Sequence, residues 1–174
     1  MKYKYTAEEL FELPEYKESF YADFGDPEKD FSVKEKIDKD FAHTENYSEN
    51  IFYHAGNGTN ELGLGKGLYL GKDKIALHNF YNLVSEYGNS MKTYEGNPHF
   101  LDLTEPHSIE NFEKEAIRKY GEQKDKNHLR LATIDNGFDG IRYFDPSATG
   151  EEFVLFNADK VKLIHEEVFV EYDK

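Results

Sequence analysis

The sequence predicts an α+β chain in which helices come first and strands dominate the second half. Three observations carry that prediction. The first 50 residues hold helix-start signatures followed by apolar groups at helical spacing. From residue 51 the chain turns to short β-type runs bounded by glycine, with helical segments between them. Aromatic residues make up 16% of the 174 positions, with 14 Phe and 13 Tyr, so a hydrophobic content of only 38% still supports one core.

The elements follow in order. Thr6 and Glu9 form a capping-box pattern ahead of AEELFELPEY, and Ser32 with Glu35 forms a second ahead of VKEKIDKDF. Two or three short helices are therefore expected in residues 1–50, as a helical N-terminal cap or a solvated appendage. Residues 51–174 are expected to form the main domain. NIFYHAG is a short strand closed by the turn NGTN, and GLYLG is a second strand between glycines. KIALHNFYNLVSEYG has helical spacing, with Gly88 as its stop. MKTYEG and HFLDLTE are strand material. SIENFEKEAIRKYG is a helix with Ser108 as N-cap and Gly121 as its end, and HLRLATIDNG is a shorter helix ending at Asn136-Gly137. GIRYFDP and EEFVLFNADKVKLI follow as strands, with EEVFVEY as the last.

Composition removes several classes of function. A formal net charge of −14 argues against coating nucleic acid through a general field, while leaving room for a local basic pocket. No cysteine means no disulfide, thiolate nucleophile or zinc-cysteine site, which fits a cytoplasmic setting. MKYKYTAEEL lacks the apolar region of a signal peptide, and no run of about 18 apolar residues suggests a membrane span. The seven histidines show no HExxH or tight ligand pair, so no metal is expected. Neither a phosphate loop of the GxxxxGK[ST] type nor a GxGxxG after a strand is present.

Three separated residues suggest a shared chemistry. His54 closes the first strand, Tyr69 sits within GLYLG, and Glu152 opens an apolar strand. Such a set suits cleavage of an N-glycosidic bond. A carboxylate stabilises the positive charge that develops on the sugar. An aromatic face holds the departing ring, a histidine positions a ribose hydroxyl, and glycines admit close backbone approach.

In that order, IFYHAGNGTN, GKGLYLGKDKIALHNFY and EEFVLFNADKVKLI resemble the ADP-ribosyltransferase superfamily, in its His-Tyr-Glu branch of diphtheria toxin and the poly(ADP-ribose) polymerases. GFDGIRYFDP is similar to ADP-ribosyltransferase domains of phage polyvalent proteins. The resemblance covers roughly residues 50–165. It implies a split mixed β-sheet core with flanking helices, and NAD as co-substrate. It implies that His54 contacts a ribose of NAD, that Tyr69 stacks on nicotinamide with Phe80 or the adjacent Tyr81 on the other side, and that Glu152 supports the transition state. Ala55, Gly56 and Gly67 would bring backbone to the nicotinamide.

Two departures stand out. The family places glycine directly after the histidine, where this chain has Ala55 and then Gly56; a positive φ at Ala55 would be strained. The arginine-directed branch carries a second glutamate two residues before the catalytic one, where this chain has Gly150.

Each residue also has an ordinary reading. His54 suits a backbone-bonded strand end, Tyr69 and Phe80 suit a core, and Glu152 suits an exposed strand start. Either Glu151 or Glu152 could face a site, because register is open. Lys66 and Lys72 read as exposed, and Arg142 as part of a surface salt bridge, although each could meet a pyrophosphate. The implied activity is transfer of ADP-ribose from NAD to a macromolecular acceptor, protein before nucleic acid, as a toxin or phage-encoded host modifier acting in a cytoplasm. The alternatives are an NAD glycohydrolase and an inactive NAD-, ADP-ribose- or protein-binding module. RNA 2′-phosphotransfer is disfavoured by the charge.

Overall fold

A computed structural model of the chain describes residues 3–41, 49–56, 60–83 and 90–168, with the side chains of 38–41, 60–62 and 79–83 outside the description. The architecture is α+β. Helices α1 (Ala7–Phe11), α2 (Pro14–Phe24) and α3 (Phe31–Phe41) come first. Next are β1 (Ile51–Ala55), β2 (Asn60–Leu62), β3 (Gly65–Gly71), α4 (Lys74–Leu83), β4 (Ser90–Gly96) and β5 (Phe100–Asp102). The chain continues through α5 (Ser108–Tyr120), α6 (Asn127–Asp135), β6 (Gly140–Asp145), β7 (Gly150–Leu155) and β8 (Val161–Val168).

The sheet runs in the order β5-β6-β7-β3-β1-β4-β8, with β2 added to β3. It is mixed: β5 and β6 are parallel and the other pairs antiparallel. Residues directly opposite share a face. One face therefore carries Tyr69, Val154, Glu152, Tyr143 and Ile141. There Tyr69, Ile141 and Val154 pack with Leu103, with Ile109 and Phe112 of α5, and with Leu129 of α6. The opposite face carries Phe52, Leu68, Leu70, Phe100, Phe153 and Leu155. On that side Phe144 joins Leu10, Phe11, Phe20 and Val33 of the N-terminal helices. The first helices are thus seated on the sheet by a shared cluster.

Several local expectations need correction. The Thr6–Glu9 capping box is present. At α3, however, Asp30 rather than Ser32 leads the helix: its Oδ1 accepts from the Ser32 N–H at 3.0 Å and from Ser32 Oγ at 2.7 Å. Ser108 is the first residue of α5, not its cap; His107 caps in a left-handed conformation, and Ser108 Oγ donates to the Glu105 carbonyl. EEFVLFNADKVKLI is not one strand. A 3-10 turn at Ala158–Lys160 divides it, and the KVKLI end merges with EEV into β8. Strand β2 has no signature in the sequence, because three residues carry too little periodicity. Gly88 and the NGTN turn, apart from the Asn60 backbone, fall outside the described residues.

Candidate functional site

Strands β3 and β7 set the first two residues. Their register pairs Gly71 with Glu152 and Tyr69 with Val154, so Tyr69 and Glu152 are diagonal neighbours on one face. In such a ladder that spacing is about 7–8 Å. Tyr143 of β6 lies directly opposite Glu152 on the other flank. The Glu152 carboxylate accepts a hydrogen bond from Thr149 Oγ1 at 2.8 Å and another from Tyr143. Burial pushes this carboxyl up to about 7, with the Asp145 charge adding to the rise while the bonds from Thr149 and Tyr143 oppose it. Burial likewise raises the Tyr143 phenol well above its ordinary range, and the Glu152 charge adds to it. Near neutral pH, then, Glu152 is poised between its acid and its carboxylate.

Glu151 points the other way. Its Oε2 accepts from Arg142 Nε at 2.9 Å and from Arg142 Nη2 at 2.6 Å. Arg142 is only 1% exposed, which corrects its reading as a surface residue. It also reaches Asp102 at 3.2 Å and the Tyr5 carbonyl at 2.7 Å, with its guanidinium 4.2 Å from the Tyr3 ring centre. Geometry thus separates the two glutamates: Glu151 belongs to a buried ion-pair network beneath the N-terminal segment, and Glu152 to the Tyr69 face.

Tyr69 is 7% exposed, and its ring belongs to the core packing of that face. Its hydroxyl donates to the Gly65 carbonyl at 2.6 Å and accepts from the Leu64 N–H at 3.2 Å. The phenol therefore ties down the bend that opens β3. Gly65 has φ +94° there, and a Cβ on it would stand 2.5 Å from the Asp125 carbonyl, so this turn excludes a larger residue. Gly67 has a different reason: a Cβ would lie 2.6 Å from Val154 Cγ2, so it is a close-packing position between β3 and β7.

Between β3 and β1 the described register holds one pair, Tyr53 with Gly71. By contrast, β1 pairs with β4 along its whole length. At this thin seam His54 Nδ1 stands 2.6 Å from the Tyr69 carbonyl. A carbonyl only accepts, so Nδ1 donates, which fixes the tautomer and leaves Nε2 as the second nitrogen. His54 is 1% exposed. Strand alternation sets it on the opposite face from Tyr69 and Glu152, so Tyr69 and Glu152 share one face and His54 is linked to them through the Tyr69 carbonyl.

The glycine shift after His54 is now explicable. The positive φ (107°) belongs to Gly56, and Ala55 continues β1 without one. The Gly56 N–H donates to the Ser90 carbonyl at 2.9 Å, and Ser90 Oγ donates to the Gly56 carbonyl at 3.1 Å. Antiparallel ladders alternate their bonding sides, so Ala55 turns its backbone groups toward the seam with β3. The side chains of Phe80 and Tyr81 lie outside the description, although α4, which carries them, follows β3 directly.

Sequence reading missed Thr149 and Tyr143 as partners of Glu152; Tyr143 becomes a neighbour only through the β6–β7 register, while Thr149 stands three residues earlier, just before β7. It also misplaced Lys72. That residue is half-buried, donates to the Glu49 and Ile51 carbonyls at 2.8 and 3.0 Å, and sits 3.7 Å from the Phe52 ring centre. Burial lowers its ammonium to about 8. Among the described residues no group of three or more His, Asp or Glu is placed to hold a metal, and no helix is long and apolar enough to cross a membrane.

No family model matches the chain, and no curated protein matches it. Two solved structures are similar in outline. A crystal structure of the M. tuberculosis MbcT–MbcA toxin–antitoxin complex aligns over 71% of this chain and 85% of the other, with 16% identity and a TM-score of 0.43. A crystal structure of an anti-CRISPR protein aligns over 66% of this chain and 94% of the other, with 15% identity and a TM-score of 0.36.

Proposed function

We propose that the chain is an NAD-dependent ADP-ribosyltransferase acting on a macromolecular acceptor. The observation that carries this reading is the half-buried Glu152 carboxyl on the same sheet face as Tyr69, whose carbonyl His54 bonds. Sequence resemblance supplies the reaction class, and the site is consistent with it. The Ala55 backbone faces the seam, where a carboxamide would need a donor and an acceptor. Stacking of nicotinamide on Tyr69, with Phe80 or Tyr81 of α4 proposed on the other side, requires one face of this core-packed ring to open toward the ligand. His54, held through Nδ1 by the Tyr69 carbonyl, is the ribose-positioning residue that the resemblance implies.

In the reaction proposed, the bond from the anomeric carbon to the nicotinamide nitrogen breaks, and its electron pair leaves with nicotinamide. An acceptor nucleophile forms the new bond to that carbon and gives up its proton to solvent water. Ionised Glu152 holds a hydroxyl of the same ribose and stabilises the positive charge that develops on the sugar. The neutral acid could still bond the hydroxyl but would not stabilise that charge, so the rate should rise with pH through about 7 and then level. The net charge of −14 makes a basic or neutral protein the easier acceptor to approach through the general field. A toxin or a phage-encoded host modifier is the setting proposed.

The test uses labelled NAD with the purified chain, alone and in cell lysate. Label should move to macromolecules, and Glu152→Gln should slow transfer by about 100- to 1,000-fold. Release of free ADP-ribose at the same rate without lysate would instead assign a glycohydrolase. Turnover unchanged in Glu152→Gln would remove the mechanism.

A further inference from the structure

One cavity is charged against the sign of the molecule. It has a volume of about 500 Å³ and lies at the opening of β3, between that strand, the end of β7 and the start of α6. Lys66, Lys124, Lys126 and Arg130 line it, against the single carboxylate of Asp125 among the described residues. The whole chain holds 35 acidic and 21 basic residues, so this inversion is local. Lys126 is 3.4 Å from Glu113. The positive field therefore comes mainly from Lys66, Lys124 and Arg130, which are exposed and form no ion pair among the described residues.

Three further features define the ligand. Asn127, the first residue of α6, borders the cavity, and the helix has no side-chain cap, so its N–H groups and the positive end of its dipole add to the field. Asp125 and Lys126 hold φ values of 54° and 52°, a backbone shape most residues avoid. Phe156, half-buried, forms part of the wall. The volume suits a nucleotide-sized group. An acidic peptide would satisfy the cations but would leave the ring without a stacking partner. A nucleotide supplies phosphate for the cations and a base for the ring.

We infer that this cavity binds one nucleotide unit of a polynucleotide strand, its phosphate toward Lys124 and Arg130 and its base against Phe156. By register it lies four residues along β3 from the Gly71–Glu152 pair, which is about 13 Å of strand. Charge and shape carry this assignment, independently of the NAD reading.

The experiment is a binding titration of the full chain with labelled single-stranded RNA and DNA oligomers at about 50 mM salt and above. Lys124→Gln/Arg130→Gln is compared with Lys29→Gln/Lys114→Gln, which removes the same charge from exposed sites elsewhere. The cavity pair should weaken strand binding at least tenfold and reduce the salt slope by roughly 0.7 for each phosphate no longer neutralised. The control pair should change binding less than twofold, and thermal melts of both should match the parent. Equal weakening in the two pairs, no binding at low salt, or equal displacement by poly-glutamate would overturn the assignment. Equal competition by a mononucleotide would overturn the strand and leave a free nucleotide. NAD affinity falling in step with strand affinity would make the cavity a co-substrate phosphate site and overturn it as well. If NAD turnover is absent but strand binding follows these expectations, this inference survives and the enzymatic reading does not.

Discussion

At the residue scale, the two adjacent glutamates make opposite predictions. Glu152 has its acid form favoured in the fold, to about 7 against an ordinary 4.5. Between those values the folded chain binds the proton more tightly than the unfolded chain, so its contribution to stability falls as pH rises from 4.5 to 7 and is flat above. Glu152→Gln should therefore stabilise the protein above pH 7, by less than the roughly 3.4 kcal/mol that the full shift would give, because the side chain is only half-buried, while abolishing most transfer. Urea melts at pH 5 and pH 8 check the sign: the variant's advantage should appear only at the higher pH. Glu151→Gln weakens the pairing of a buried guanidinium, and Arg142→Met leaves Glu151 and Asp102 without their cation. The second change should cost about 3–5 kcal/mol in chemical denaturation. Glu151→Gln should spare turnover in whatever protein remains folded. None of this could be read from EEF alone, because both carboxylates sit at one strand start and only pairing with β6 assigns their faces. Arg142 and Lys72 were misread for a related reason: charge in a sequence signals solvent by default, and only tertiary placement supplies the carboxylates and carbonyls that let a cation be buried.

At the element scale, close backbone contact separates glycines that look alike in sequence. A Cβ on Gly140 would lie 2.1 Å from the Val154 carbonyl, a backbone atom that cannot move without breaking the β6–β7 ladder. A Cβ on Gly71 would meet only the end of the Leu77 side chain at 2.9 Å, which can rotate. Gly140→Ala should cost about 3 kcal/mol or more, and Gly71→Ala about 1 kcal/mol, in matched melts. Equal costs would mean that the β6–β7 contact yields as easily as a side chain. Helices were legible where capping chemistry was local, as with Thr6 and Glu9. They were less so where a residue outside the pattern won the cap, as Asp30 did over Ser32. Strand identities in GLYLG and GIRYFDP followed from composition, but the sheet order did not, because parallel β5–β6 pairing joins segments about 40 residues apart.

At the scale of the whole molecule, the N-terminal helices are part of the fold's support. Phe144 packs into their cluster, and Arg142 is held beneath Tyr3 and Tyr5. Removing residues 1–41 would expose that aromatic surface and one side of the ion-pair network. The truncated chain should lose cooperative unfolding or aggregate; a soluble fragment with a sharp melt would show that residues 51–174 stand alone. The split sheet was an expectation of resemblance, and its physical counterpart is the single Tyr53–Gly71 pair joining β1 to β3. That junction has a dynamic consequence. A sheet whose described register across this seam is one residue pair, with the His54 imidazole and the Lys72 ammonium as side-chain ties, can part there like a book at its spine, with β5-β6-β7-β3 as one leaf and β1-β4-β8 as the other. Amide protons near the crease should trade with deuterium sooner than those deep in either leaf, and sooner still once His54 is replaced by alanine.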